Sequence, residues 1–292
     1  MRTDTLPAGP VVGGYRLANR LGAGEHGEVF VATHLASGEQ VAFKRLRAVG
    51  TDARQRAEAV RRFAAEAETT RRLQHADIVR VLDAGHDDAG PWLVMELLPG
   101  CSLERYTHAA RLLPEPVVVG VMARVARALA YAHGRGVVHR DLKPSNVIVD
   151  WTSRRVTLTD FGLARGADGD STRTGLVLGS PAYLAPEQLA GAPATPRGDL
   201  YALGVTTFEL LTGRRPHESA SLGELLRQVA EQTAPDLARL RPGLPPALVS
   251  LVARLLAKPP SQRPATAAEV AQALEGILST IDAAVAGPKS RP

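Results

Sequence analysis

The chain has 292 residues, of which 45% are hydrophobic and 22% are charged, as in ordinary globular proteins. The net charge of +5 comes from 35 basic and 30 acidic residues, without a dense basic block interleaved with aromatic residues. Binding to nucleic acid is therefore not expected. The single cysteine, Cys101, excludes an internal disulfide and fits a reducing compartment.

The chain lacks the sequence features of secretion and of membrane insertion. Its first residues do not combine a charged start with an apolar run, as a secretory signal would. The most apolar long segment, 117–132, carries Arg124 and Arg127 and is typical of an amphipathic helix. We expect a cytoplasmic protein with no membrane segment in this chain, although an anchor beyond residue 292 of a longer parent stays open.

A flexible leader is predicted over residues 1–14, followed by three short strands over residues 15–49. Glycines between the first two strands would let the backbone approach a triphosphate and turn its N–H groups toward it. A simple glycine-rich hairpin is the alternative. No helix is predicted directly after these glycines, which argues against a dinucleotide-binding fold. The phosphate-loop residues are Leu21, Gly22, Gly24, Gly27 and Val29.

The remaining elements alternate between short strands and longer helices. Strands are predicted around a turn at 86–91 and again at 147–150 and 156–159. The stretch 163–182 is rich in Gly, Ser and Thr without periodicity, which is typical of a mobile segment. A tail is predicted over 282–292. Helices are predicted over residues 53–73, 116–134, 198–211, 222–232, 246–256 and 267–281.

Two motifs carry the chemistry. Residues 138–146 read Val-His-Arg-Asp-Leu-Lys-Pro-Ser-Asn, and residues 160–162 read Asp-Phe-Gly. Phosphoryl transfer from a magnesium nucleotide needs a proton acceptor, a cation for the moving charge and oxygen ligands for the metal. These motifs supply Asp141 as the base, Lys143 as the cation, and Asn146 with Asp160 as metal ligands. Asp-Phe-Gly alone would indicate only a turn, but both motifs in order make coincidence a poor explanation.

With Ala-Pro-Glu at 185–187, these motifs make the chain resemble a protein kinase from residue 15 to residue 281. The resemblance implies an α+β fold. It has a small antiparallel β lobe with one regulatory helix (15–95), a hinge (96–100) and a larger, mainly helical lobe (101–281). Lys143, two residues after the base, and Ser180 resemble the serine/threonine branch. The compact lobes are similar to those of bacterial eukaryotic-like serine/threonine kinases.

The resemblance also assigns the residues that hold the nucleotide. Lys44, in Val-Ala-Phe-Lys at 41–44, would contact the α- and β-phosphates, although a strand lysine is otherwise usually solvated. Glu66, nine residues before His75, would be its partner in preference to Glu68. The adenine contacts implied are the gatekeeper Met95, the Glu96 carbonyl, the Leu98 N–H and the apolar walls Val29, Ala42 and Ile148.

The implied activity is transfer of the γ-phosphate of ATP, with Mg²⁺ or alternatively Mn²⁺, to Ser and Thr hydroxyls of proteins in bacterial signalling. Thr172 and Thr174, with Ser171, resemble activation-segment residues that bacterial relatives phosphorylate on themselves. Such autophosphorylation would take place within a transient homodimer. The resemblance also pairs Arg263 with Glu187 in a structural ion pair.

Three other functions are alternatives, of which a non-enzymatic interaction module would require all the motifs to be coincidence. A pseudokinase scaffold would bind nucleotide without transferring phosphate, but Lys44, Asp141, Asn146 and Asp160 are all intact. A small-molecule kinase of related fold usually lacks the Ala-Pro-Glu segment and a threonine-rich activation segment. Both features are present here.

Overall fold

The computed structural model describes residues 9–24, 27–47, 53–161 and 181–286. They form two compact units, one of residues 9–99 and one of residues 100–161 and 181–286. Each unit is described separately below.

The first unit is an antiparallel sheet of six strands with one helix. The strand order is β1-β2-β3-β4-β6-β5, so only β5 and β6 depart from chain order. The elements are β1 (Val11–Val12), β2 (Tyr15–Gly24), β3 (Gly27–His34), β4 (Gln40–Leu46), α1 (Ala53–Arg71), β5 (Val81–Asp87) and β6 (Gly90–Glu96).

Strand β4 is buried on both faces, because a hydrophobic cluster packs against each of them. Successive side chains of a strand point to opposite faces. Val41 and Phe43 join an aromatic cluster in which Phe43 stacks on Trp92, with ring centroids 5.4 Å apart. Ala42 and Leu46 join a second cluster with residues of α1. Lys44 lies two residues from both Ala42 and Leu46, so its side chain points to the same face of the sheet as theirs, toward α1.

The second unit is mainly helical. It contains a three-stranded sheet in the order β7-β8-β9, and α8 packs against α2. Its strands are β7 (Cys101–Ser102), β8 (Val147–Asp150) and β9 (Arg155–Leu158). Its helices are α2 (Glu115–His133), α3 (Pro186–Leu189), α4 (Pro196–Thr212), α5 (Leu222–Glu231), α6 (Leu237–Leu240), α7 (Pro246–Leu255) and α8 (Ala267–Ala286).

Helix α4 is buried over nearly its whole length, as its apolar sequence predicts. Its first turn is closed by Thr195, whose side chain accepts a hydrogen bond from the Gly198 N–H. It ends at Gly213, whose left-handed conformation (φ 77°) is typical of a glycine cap.

The predicted strands and long helices are present with small shifts at their ends, and two described elements extend into the predicted leader and tail. Strand β1 lies inside the predicted leader, where Val12 pairs with Tyr15 and is buried against the aromatic cluster. A two-residue strand is too short to produce a periodic pattern. Helix α8 continues to Ala286, beyond the predicted end at 281, since no glycine or proline lies between Ile281 and Gly287.

Among the helices in the described part of the chain, none combines the length and the apolar character needed to cross a membrane.

The aromatic cluster should dominate the stability of the first unit. Phe43 has no exposed surface, so Phe43→Ala should lower the free energy of unfolding by about 3–5 kcal/mol through lost burial and the cavity left behind. Urea unfolding measures this change. Leu35, which is exposed, is the matched control, and Leu35→Ala should change stability by less than about 0.5 kcal/mol. Equal losses in both variants would contradict the assignment.

Candidate active site

A buried carboxylate fixes the loop that carries the first motif. Asp199, in the first turn of α4, is 3% exposed. Its Oδ2 accepts hydrogen bonds from His133 Nε2 and from the backbone N–H of His139, both at 2.8 Å. Its Oδ1 accepts from the backbone N–H of Arg140 at 2.9 Å. Three donors thus compensate for the desolvation of this charge.

Arg140 shows the effect of this anchor on the backbone. Its φ is 69°, in the left-handed region that residues with a side chain rarely adopt. The hydrogen bond to Asp199 holds it there. The residue before the predicted base therefore has a conformation that local preference would not select.

His139 connects the two motifs. Its Nε2 donates to the carbonyl oxygen of Thr159 at 2.9 Å, and its Nδ1 accepts from the backbone N–H of Asp141 at 3.3 Å. Full burial lowers the pKa of His139 below its usual range, so the ring is neutral and carries its proton on Nε2. The ring also packs against Phe161, with centroids 4.6 Å apart. His139 is thus a structural link between the two motifs.

Three of the predicted residues of the first motif lie together. Lys143 Nζ is 2.9 Å from Asp141 Oδ2, and Asn146 Nδ2 donates to the same Asp141 oxygen at 3.0 Å. Asn146 Nδ2 also donates to the Asp141 carbonyl at 2.7 Å. The side chains of Asp141 and Lys143 are 11% and 15% exposed, so both keep some contact with solvent. A carboxylate, an ammonium and an amide therefore form one cluster.

The fourth predicted residue, Asp160, directly follows a residue whose backbone is hydrogen-bonded to Asn146. The Thr159 N–H donates to the Asn146 carbonyl at 2.8 Å, at the open end of the β8–β9 hairpin. Asp160 also has a left-handed backbone, with φ 59°. The amide nitrogen of Asn146 is engaged with Asp141, and its Oδ1 accepts a long hydrogen bond of 3.4 Å from Ser145 Oγ. An amide oxygen has two lone pairs, so Oδ1 can also bind a cation. An amide oxygen and a carboxylate are hard donors that suit Mg²⁺.

In the first unit, the described residues of the glycine motif lie at the ends of β2 and β3, where Gly24 pairs with Gly27, and strand β3 begins at Gly27 in place of a helix. The predicted exclusion of a dinucleotide fold is thus confirmed. Gly27 has φ 143°, and a Cβ there would lie 2.0 Å from the Arg45 carbonyl oxygen. Only glycine fits. A Cβ at Gly22 or Gly24 would meet nothing within 4 Å, so their backbone can be approached closely.

The predicted adenine-wall residues of the first unit also gather in one place. Ala42 and Met95 are buried in the same cluster, with Val29 and Leu98 packed against it. Ala42 and Met95 are directly paired across β4 and β6. Ile148 belongs to the second unit, on β8 opposite Ser102 of β7. The Glu96 side chain accepts from the Arg80 N–H at 2.9 Å.

Lys44 and Glu66 both lie in the first unit, where Lys44 is buried on β4 and Glu66 is half-buried on α1. Glu68 instead lies on the exposed side of α1 and pairs with Arg72 at 3.1 Å. Its environment matches the solvated helix acid that was the alternative. The pairing of Lys44 with Glu66 stays a prediction.

The predicted pair of Arg263 and Glu187 is confirmed. Arg263 Nη1 and Nη2 contact the two Glu187 carboxylate oxygens at 2.7 and 2.8 Å. The guanidinium is fully buried, and its remaining N–H groups donate to backbone carbonyls of Ala257, Arg197 and Lys258. All five donors are satisfied, which is the condition for burying this charge.

The predicted phosphorylation sites Ser171, Thr172 and Thr174, and also Ser180, lie outside the described residues. The sequence reasoning missed the roles of His133, His139, Thr159 and Asp199. An aspartate in the first turn of a buried helix was the one signal that could have drawn attention to Asp199, since a buried acid needs donors.

Comparison with known proteins identifies the class. The protein kinase domain family matches residues 15–274. The chain belongs to the protein kinase family, as the motifs and the two units indicate.

Curated relatives are bacterial serine/threonine-protein kinases. The chain is 37% identical to Pkn1 of Myxococcus xanthus, 34% to PrkC of Bacillus subtilis and 37% to PknF of Mycobacterium tuberculosis. These matches cover 96%, 89% and 92% of this chain. They cover 40%, 40% and 57% of the respective relatives, so the chain spans about half their length or less.

Among solved structures, the chain is similar to Rad53 1-466 in its crystal structure in complex with AMP-PNP. The TM-score is 0.72 at 24% identity, covering 89% of this chain and 63% of that chain. At this identity the likeness shows the shared fold alone, and it confirms the predicted α+β kinase fold.

Loss of the Asp199 anchor should destabilise the second unit. Asp199→Asn replaces one acceptor oxygen by an NH₂ group, which would face an N–H donor and leave it unsatisfied in the interior. We expect a loss of about 3 kcal/mol in the free energy of unfolding, measured by urea denaturation. Asp236→Asn is the matched control, because asparagine caps a helix about as well as aspartate. An unchanged stability in Asp199→Asn would contradict the anchoring role.

Proposed function

We propose that this chain is the catalytic domain, over residues 15–281, of a serine/threonine protein kinase that transfers the γ-phosphate of ATP to protein hydroxyls. The observation that carries the proposal is the cluster of Asp141, Lys143 and Asn146, held together by contacts of 2.7 to 3.0 Å. Support also comes from the family match and from relatives named serine/threonine-protein kinases.

In the proposed step, the oxygen of a Ser or Thr hydroxyl forms a bond to the γ-phosphorus. The bond from that phosphorus to the bridging β-γ oxygen breaks, and ADP leaves with the electron pair. The hydroxyl proton passes to the Asp141 carboxylate. Lys143, which contacts Asp141 at 2.9 Å, would then meet the charge of the transferring phosphoryl group.

We propose that Lys44, oriented by Glu66, binds the α- and β-phosphates, and that the backbone of Gly22 and Gly24 approaches them. Asn146 and Asp160 would bind Mg²⁺, which neutralises phosphate charge when present. The support is chemical: a buried strand lysine, open glycine backbone and two hard oxygen donors.

The base is tested by Asp141→Asn, which keeps the shape of the side chain but removes proton acceptance. We expect transfer of radiolabelled phosphate from ATP to a generic protein acceptor to fall at least about 10³-fold, or ~4 kcal/mol, with ATP affinity nearly unchanged. The matched control is Asp282→Asn at an exposed position, which should keep full activity. Near-normal turnover in Asp141→Asn, or nucleotide binding without any transfer by the unmodified protein, would refute the proposal.

We further propose control by autophosphorylation at Thr172, Thr174 or both, between two molecules. Arg140 precedes the base, and a phosphate of about −2 charge offers its guanidinium charge-assisted hydrogen bonds. Such a contact would favour the placement of the activation segment.

Thr172→Ala with Thr174→Ala should therefore lower transfer to other proteins more than it lowers ATP affinity. Phosphopeptide mapping of the unmodified protein against Asp141→Asn checks the sites, and Thr280→Ala on α8 is the matched control. Full activity of the double variant, or phosphorylation confined to other segments, would show that this control does not operate.

A further inference from the structure

A groove in the second unit takes no part in the proposed chemistry. It lies between α2, α8 and the β8–β9 hairpin and encloses about 790 Å³. None of its lining residues belongs to the segment 138–146 or to the Asp-Phe-Gly motif. We call it the α2–α8 groove.

One part of the groove is basic. Arg124 and Arg127 of α2 and Arg154 and Arg155 of the hairpin line it. The lining also holds two carboxylates, which reduce the formal charge of this part to +2.

The two carboxylates differ in how firmly they are held. Asp150 accepts from Ser153 Oγ at 2.6 Å and from the Thr152 N–H at 3.0 Å, so it is engaged within its own turn. Glu275 pairs with Arg127 at 3.3 Å, and both side chains are about half exposed. Exposed ion pairs contribute little free energy, so an incoming carboxylate can replace Glu275 at small cost.

The other part of the groove is apolar. Pro116, Val117 and Leu278 line it, and Gly120 contributes no side chain to its floor. Trp151, a large apolar side chain that is 43% exposed, also lines the groove. Its indole N–H donates to Tyr106 Oη at 2.7 Å, and the two rings form an edge contact. The indole is therefore an exposed apolar surface held in one orientation.

We propose that the α2–α8 groove is a docking site for an extended acidic segment of the protein that this kinase phosphorylates. Carboxylates of the segment would bind the arginines, and apolar side chains would lie over Gly120 and against Trp151. The identity of the partner as a phosphate acceptor rests on the proposed function, whereas the chemistry of the segment rests on the groove alone.

The dimensions favour a peptide over a small anion. From Pro116 to Arg127, α2 rises by about 16 Å, which corresponds to about five residues of extended chain. A phosphate ion would fill little of 790 Å³ and would leave the apolar part uncovered. The charge and the apolar floor together select a segment with both acidic and apolar side chains.

The direct test uses a labelled peptide of two leucines followed by three glutamates, together with its reversed sequence. Neither contains a hydroxyl acceptor, so binding is measured independently of phosphoryl transfer. We expect fluorescence polarisation to show saturable binding of at least one of the two peptides, and we expect added salt to weaken that binding. The peptide should change the emission of Trp151 on binding. The change can be assigned to Trp151, because the other tryptophan, Trp92, is buried in the first unit.

Two variants locate the site. Arg124→Gln with Arg127→Gln should weaken binding about tenfold or more by removing two guanidinium partners. Gly120→Leu should also weaken it by filling the apolar floor without changing charge, and its helical position tolerates a side chain. Arg227→Gln with Arg239→Gln removes two exposed, paired arginines elsewhere in this unit and should leave affinity unchanged.

A phosphorylation assay then identifies the partner as a substrate. Joining the acidic segment to a generic acceptor should lower KM without changing kcat, and the Arg124 and Arg127 double variant should abolish that gain. Peptide binding without any KM effect would show that the occupant is not the acceptor protein. An absence of all phosphoryl transfer, with peptide binding intact, would instead count against the proposed function alone.

Three results would overturn the docking site itself. One is equal affinity for the peptide with glutamines in place of glutamates. Another is an unchanged affinity in both groove variants. The third is groove-dependent binding of phosphatidylserine vesicles or inorganic phosphate without binding of either peptide, which would assign the groove to a lipid surface or a free anion.

Discussion

The hydrogen bonds to the buried Asp199 carboxylate are the constraint on which the rest of the site depends. A desolvated carboxylate is tolerated only when donors surround it, and here three N–H groups do so. Two of these donors are backbone groups of adjacent residues, His139 and Arg140. Fixing both peptide units forces Arg140 into its left-handed conformation and positions His139 to reach Thr159. The position of Asp141, and its closeness to the second motif, follow from that one interaction.

The charges that hold the fold differ from those proposed to act in catalysis in how completely hydrogen bonds satisfy them. Asp199 and the guanidinium of Arg263 are almost fully buried, and all five Arg263 donors are used within the second unit. Asp141 and Lys143 keep partial exposure. A group that must exchange partners during a reaction cannot be held by a complete set of buried hydrogen bonds, because releasing it would cost several kcal/mol. The saturated groups hold the backbone, and the groups proposed to act in phosphoryl transfer are less enclosed.

The motifs predicted the family, the fold class and the Arg263–Glu187 pair, and the long helices followed from apolar periodicity. The Asp199 network could not be found in this way, because two of its donors are backbone N–H groups, 60 and 59 residues away, which leave no mark in the sequence. An acid in the first turn of a helix also has an ordinary local explanation in the helix dipole. Strand β1 was missed for a different reason, since it is stabilised by pairing with β2 and by burial of Val12 in the aromatic cluster. In both cases tertiary contacts decide the structure and local sequence does not.

The completeness of hydrogen bonding also distinguishes the arginines of the second unit from one another. Arg263 makes five hydrogen bonds in the interior, so its charge serves the fold and is not available to a ligand. Arg127 shares one exposed contact with Glu275 on the surface of a concave groove. A guanidinium gains most from a planar, two-point partner, and a single contact at 3.3 Å does not satisfy that preference. An incoming carboxylate can offer such a partner to Arg127, whereas nothing further can be offered to Arg263.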